Sequence, residues 1–278
     1  MLTIHIPDAT ENERVKKFEA LRLAPPRPLD APSVRVLPDD DSADFVPKKD
    51  EEHGVVIGNT VVTLEPQMSV TAMDAVQYCT FYAQMIANQE FDKSTHLIEW
   101  YQKYTDTMTW MGWNLTSFNL KETVSSDTSI DVDQVALKML AAAAGPGAAG
   151  AVLMASLKAG LDGLKDSKKA VGLFHKESTN DKNASFQLMP AGERSNGSAM
   201  ILFNCMYCTT KVNKGKVLFV SWNKSDVRIW GNAQRMENLP GIYQRIKHKV
   251  EEELADYLVD GFHEKFALKR KPAPKSAG

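Results

Sequence analysis

The sequence predicts an α+β fold with a single core, in which an antiparallel sheet packs against several helices. Three observations carry this expectation. The last third of the chain holds apolar, β-branched and aromatic runs of strand length, above all 199–210. Apolar residues recur at helical spacing in the middle of the chain and again near its end. The composition, 43% hydrophobic and 24% charged over 278 residues, is that of a globular body with a sizeable core. Thirty-three basic residues face thirty-five acidic ones, giving a net charge of −2. No global field points to nucleic acid, and no nucleic-acid partner is expected.

Residues 1–68 read as an N-terminal arm with a small hairpin. Pro25, Pro26, Pro28 and Pro32 remove backbone donors and stiffen the arm, while Asp39 to Asp41 and residues 48–52 form solvated charge runs. Val55 to Ile57 and Val61 to Thr63 flank Gly58-Asn59, which is the pattern of a tight hairpin. A core domain over 69–262 follows. A helix is expected over 71–87, with Thr71 and Asp74 at its start and apolar residues nearly all round it. A second is expected over 95–110, where Leu97, Tyr101, Tyr104, Met108 and Met111 form one stripe. Trp100, Trp110 and Trp113 add bulky core anchors.

Residues 132–164 read as two helices joined at Gly145-Pro146-Gly147, with Ser129-Ile130-Asp131 at the start. No charge occurs from Met139 to Leu157. That length approaches a membrane span, but Ala and Gly contribute little transfer energy and Lys138 and Lys158 bracket the run. The segment is therefore a close-packed helix pair, or a hairpin that enters a membrane through Gly145, Pro146, Gly147 and Leu153. Beyond it, strands are expected over 185–189, 199–210, 216–222 and 226–230. The second and third would form a hairpin through Asn213-Lys214-Gly215. A closing helix over 238–260 takes Asn238 as its N-cap, admits Pro240 in the first turn and stops at Gly261. Residues 263–278 form a basic tail with no pattern of order.

No local motif of catalysis is present. The six histidines do not pair at metal-ligand spacing. There is no phosphate-binding glycine loop and no nucleophile elbow, and no metal is expected. Cys79, Cys205 and Cys208 are too few for a disulfide framework and read as reduced thiols. The start, Met1 to Pro7, lacks a cationic region and a long apolar stretch. The expectation is synthesis in a bacterial cytoplasm without a signal peptide, with release or membrane association to follow. Cys205-Met206-Tyr207-Cys208 has redox or zinc spacing, yet it sits in a strand, where residues three apart face opposite ways. Cys205 then shares a face with Ile201, Phe203 and Tyr207, and Cys208 with Met200, Leu202, Asn204 and Met206. Either thiol is a small buried hydrophobe or the attachment point of an acyl chain. Cys205 is favoured for attachment, because Asn204 lies on the other face.

The order and character of these segments resemble the Evf-type bacterial virulence factors. The features that match are the size, the aromatic helix pair over 71–113, the Ala-Gly helix pair, the cysteine-bearing apolar strand and the closing helix. The resemblance covers residues 70–262. It implies a non-enzymatic virulence or persistence factor carrying a palmitate-like fatty acid, thioester-linked to Cys205 or Cys208, that acts on or near host membranes. A lipid or membrane surface would be its partner, together with a host factor. The alternatives are a membrane-inserting toxin that uses the Ala-Gly hairpin, and an enzyme with a dispersed site.

Overall fold

Strands that are apolar on both faces need cover on both sides, and this requirement sets the architecture. The computed structural model describes residues 2–24, 34–37, 53–123, 128–180, 183–211 and 216–258. The strands are β1 (Leu2–Ile4), β2 (Val34–Leu37), β3 (His53–Ile57), β4 (Thr60–Leu64), β5 (Trp113–Asn114), β6 (Phe118–Thr123), β7 (Ser129–Asp131), β8 (Thr179–Asn180), β9 (Asn183–Glu193), β10 (Ala199–Thr210), β11 (Ser221–Asn223) and β12 (Val227–Asn238). The α-helices are α1 (Glu11–Glu19), α2 (Val70–Glu90), α3 (Leu97–Trp110), α4 (Val132–Ala144), α5 (Ala148–Asp166), α6 (Lys168–Ser178) and α7 (Pro240–Leu258). One ten-stranded sheet runs in the order β1-β6-β12-β10-β9-β4-β3-β2, with β5 beside β12 and β8 beside β9. The expected α+β architecture is found. The sheet is antiparallel except where β4 lies parallel to β9. That one parallel contact joins the expected β3–β4 hairpin, which turns at Gly58 (φ 54°), to the rest.

Helices α1, α2, α3 and α7 cover one face, and α4, α5 and α6 cover the other. On the first face Trp100 stacks on Tyr104, with ring centroids 5.5 Å apart, and Tyr104 stacks on Phe203 at 5.7 Å. Each such aromatic contributes about 1.5–3 kcal/mol through burial. α2 is buried from Cys79 through Ala87. It lies between the sheet, α3 and α7, which explains its nearly continuous apolar surface. Its cap is Ser69, whose hydroxyl accepts from the Ala72 N–H. The Thr71–Asp74 start expected from spacing is not used, and Asp74 instead faces Lys247 of α7 at 3.4 Å.

On the second face α4 and α5 form the expected close pair. The joint needs Gly145 (φ 67°) and Gly147 (φ 122°), angles that a side chain disfavours. Arg235 of β12 donates to the Ala144 carbonyl and places a cation at the end of α4. α5 lies so close to β4 that a Cβ on Gly160 would stand 2.1 Å from Thr63 Cγ2. Likewise, a Cβ on Gly231 would meet the Met139 and Met206 sulfurs at 2.8 Å.

Several expectations are corrected. Residues 2–24 of the expected arm carry a strand and a helix that pack on the body: β1 pairs with β6 at the sheet edge, and α1 buries Val15 and Phe18 between α3 and α7. Its polar sequence hides a helix with few apolar residues, closed by a capping box of Thr10 and Glu13. Ser129–Asp131 forms strand β7 as well as leading into α4, which begins at Val132 as expected with Asp131 as its N-cap. Residues 216–220 are not strand. Val217 and Leu218 enter the second core from a loop, and only Ser221–Asn223 pairs, with β7. β10 takes β12 as its neighbour instead, in register from Met200↔Glu237 to Thr210↔Val227. Asn238 ends β12, and α7 starts at Pro240. The proline and charge runs of the arm, Asn213 to Gly215, Gly261 and the basic tail lie outside the described residues.

Thr63 is β-branched and buried, so it cannot turn away from a new Cβ. Gly160→Ala is expected to destabilise by about 1–3 kcal/mol. Gly163→Ala, in open space on the same helix, is expected to leave the melting temperature unchanged or slightly raised. Thermal melts of the two variants, read side by side, check this.

Candidate functional site

Strand β10 is buried from Ala199 through Met206. Its alternation places Cys205 with Ile201 and Phe203 in the first core, and Cys208 with Met200, Leu202 and Met206 in the second. Both thiols are fully buried, as is Cys79 on α2. The sheet itself separates Cys205 from Cys208, so they form no redox pair. Burial pushes the Cys79 thiol up to about 12, against a partial opposing effect of the Trp113 indole. Burial also raises Cys205 well above the ordinary thiol range, with the Tyr101 hydroxyl opposing in part. For Cys208 burial alone raises the pKa. All three are thiols rather than thiolates at neutral pH and are weak nucleophiles in the folded chain.

The ladder between β9 and β10 is interrupted beside Cys205. Pairing runs from Ala199↔Glu193 to Ile201↔Ala191 and resumes at Met206↔Phe186 in the same register. Residues 202–205 and 187–190 face each other across the gap. Pro190 has no N–H to give there. The Leu188 N–H donates instead to Asn204 Oδ1 at 2.7 Å. That leaves Asn204 Nδ2 buried without a partner. The register sets Gln187 opposite Cys205.

Gln187 belongs to a buried polar chain that crosses the sheet. Gln84 Nε2 donates to the Ile57 carbonyl at 3.0 Å and to Thr60 Oγ1 at 2.7 Å. Thr60 Oγ1 donates in turn to Gln187 Oε1 at 2.8 Å. The chain ends at Gln187 Nε2, which has no partner. Tyr101 reaches the same place from α3. Its hydroxyl interacts with Cys205 and Gln187 but makes no hydrogen bond of good geometry. Each unpartnered buried donor costs about 1–3 kcal/mol.

Cys205 therefore does not sit on a purely apolar face, which was the reason for favouring it. The polar groups come from α3 and β9, which adjacency within β10 could not reveal. The signal available in the sequence was Gln187 inside Ser-Phe-Gln-Leu-Met, a polar residue in a run otherwise fit for burial. Tyr101 carried no such signal, because its helical stripe is explained by packing alone.

The hairpin candidates lie elsewhere. Gly145, Pro146 and Gly147 are exposed at the α4–α5 tip, while Leu153 is buried at 1% exposure against β9. Leu153 thus belongs to the core of the docked pair. Among the described residues no helix is long and apolar enough to cross a membrane, and no group of His, Cys, Asp or Glu could hold a metal ion.

Fold and site together define a sheet protein layered by helices on both faces, with inert thiols on opposite sides of one central strand. Comparison with models of known families, with curated proteins and with solved structures finds no match.

The burial of the thiols makes a direct prediction. A disulfide reagent at pH 7.5 is expected to leave all three cysteines of the unmodified native chain unreacted over minutes, and to react with all three in denaturant. A thiol that reacts natively would show that its side of the sheet opens.

Proposed function

We propose that this chain is a non-enzymatic carrier of a thioester-linked long-chain fatty acid, attached at Cys205 and acting at a lipid surface. One observation carries the reading. Cys205 lies fully buried beside two donors, Tyr101 Oη and Gln187 Nε2, that have no acceptor of their own. A thioester carbonyl on Sγ is an acceptor at that place, and it would offset the cost of both. Cys208 has no comparable setting: burial alone acts on it. The segment-order resemblance to Evf-type virulence factors supports the same reading and extends it to persistence in a host. A long acyl chain gains about 0.8 kcal/mol per buried methylene, so the apolar core is its natural solvent.

Acyl transfer from a thioester donor forms the Cys205 S–C bond and breaks that of the donor. The Cys205 proton passes to the departing thiolate. The folded thiol is protonated and buried, so the transfer belongs before α2 and α3 close over the sheet.

Intact protein from a bacterial host is expected to exceed its sequence mass by one long-chain acyl group. Neutral hydroxylamine in denaturant should remove the excess, Cys205→Ser should abolish it, and Cys208→Ser should retain it. A native mass equal to the sequence mass would sink the proposal for that host. Tyr101→Phe gives a second reading. Removing an unsatisfied hydroxyl should leave the unacylated chain as stable or up to about 1 kcal/mol more so, whereas in the acylated chain the same change removes a hydrogen bond and destabilises by about 1 kcal/mol.

A further inference from the structure

Lys93 lies in the turn between α2 and α3. Its Nζ sits 5.5 Å from the centre of the Trp100 ring and donates to the Glu177 carbonyl at 3.1 Å. Neither the ring nor the carbonyl carries a charge that would neutralise the ammonium. Burial is the main reason that its pKa falls to about 8, and the charges of Glu177 and Asp92 oppose part of that fall. The next residue after Glu177 is Ser178, the last of α6. It is only 3% exposed, and its Oγ has no hydrogen-bond partner.

A small, half-open cleft lies at this seam between the two helical layers. Lys93, Ser94, Leu97, Ser178, Asn183 and Tyr207 contribute to its wall. Tyr207, which packs on Trp230 with ring centroids 5.6 Å apart, gives it one aromatic side. Leu97 is the first residue of α3, and no side chain caps that helix. The positive end of a fourteen-residue helix therefore opens beside the lysine.

The geometry points to an oxyanion-binding site in this cleft, for a carboxylate or phosphate group on a small ligand, held by the Lys93 ammonium, the Ser178 hydroxyl and the N-terminal end of α3. The cleft is shallow and half open to solvent, which limits the ligand to a small molecule or the anionic end of a larger one. An oxyanion supplies an acceptor for the buried Ser178 hydroxyl and adds to the partial compensation that Glu177 and Asp92 give the Lys93 ammonium. Glu177 also lines this wall, and its negative charge disfavours a ligand that carries several anionic groups there. The site owes nothing to an acyl group at Cys205 and stands whether or not that thiol is modified.

The full chain can be titrated with inorganic phosphate and, separately, with acetate at constant ionic strength and pH 7. The backbone amide shifts of Ser94, Leu97 and Ser178 are followed by NMR. Saturable movement of these three is expected with at least one anion. Phosphate alone assigns a phosphate ligand, acetate alone a carboxylate, and both an oxyanion of either kind. Lys93→Met, which keeps the stem over Trp100, should abolish the response, and Ser178→Ala should weaken it several-fold. Where acetate binds, its affinity should fall about fourfold from pH 6.5 to 8.5, as the Lys93 ammonium is lost through a pKa near 8. No saturable shift with either anion overturns the site, and so does binding unchanged in both variants.

Discussion

The antiparallel pairing of β10 with β12 is the interaction on which the rest depends. It holds without a break from Met200↔Glu237 to Thr210↔Val227. It also fixes which face of β10 meets which helices. A slip of one residue would exchange Cys205 for Asn204 and Phe203 for Leu202 in the first core. It would break the stack of Trp100, Tyr104 and Phe203 and move Met206 away from the gap that Gly231 leaves for it and Met139. Side-chain identity on both faces thus secures the register, and the register secures both layers.

Within that apolar frame a polar chain is retained. Gln84, Thr60 and Gln187 join α2 to β4 and β9 through hydrogen bonds fully shielded from water. Such bonds are strong in a low dielectric, and costly where one end is left open. The chain ends open at Gln187, next to the interruption of the β9–β10 ladder and next to Cys205. Pro190, Asn204 and Gln187 are thus parts of one local departure from regular sheet. Sites with chemical work to do are common at such departures.

Much of this was legible in the sequence, and for identifiable reasons. Strand 199–210 was legible because its apolar run carries aromatic and β-branched residues and is followed by the turn residues Asn213 to Gly215, and the opposite facing of its cysteines follows from a period of two. The Gly58-Asn59 turn and the Gly145–Gly147 joint were legible because both require backbone angles that few residues adopt. α1 was missed because only Val15 and Phe18 of its residues are buried, too few to mark a stripe. Residues 216–220 were misread because Val217 and Leu218 are buried without pairing, and hydrophobicity does not distinguish a packed loop from a strand. The surroundings of Cys205 were hidden for a different reason. They are assembled from α3, β4 and β9, whose meeting is a product of topology rather than of spacing.

The strand order also bears on how the chain reaches this state. The first strand lies at one edge of the sheet and the second at the other. β4 finds its partner only in β9, with Thr60 bonded to a residue 127 positions later. β1 waits for β6 over a separation of 116. On a ribosome the β3–β4 hairpin therefore emerges long before the strand that covers its edge. Such long-range closure slows folding and lengthens exposure of sticky edges. β4 therefore cannot be covered until β9 has been made, nor β6 until β12 has.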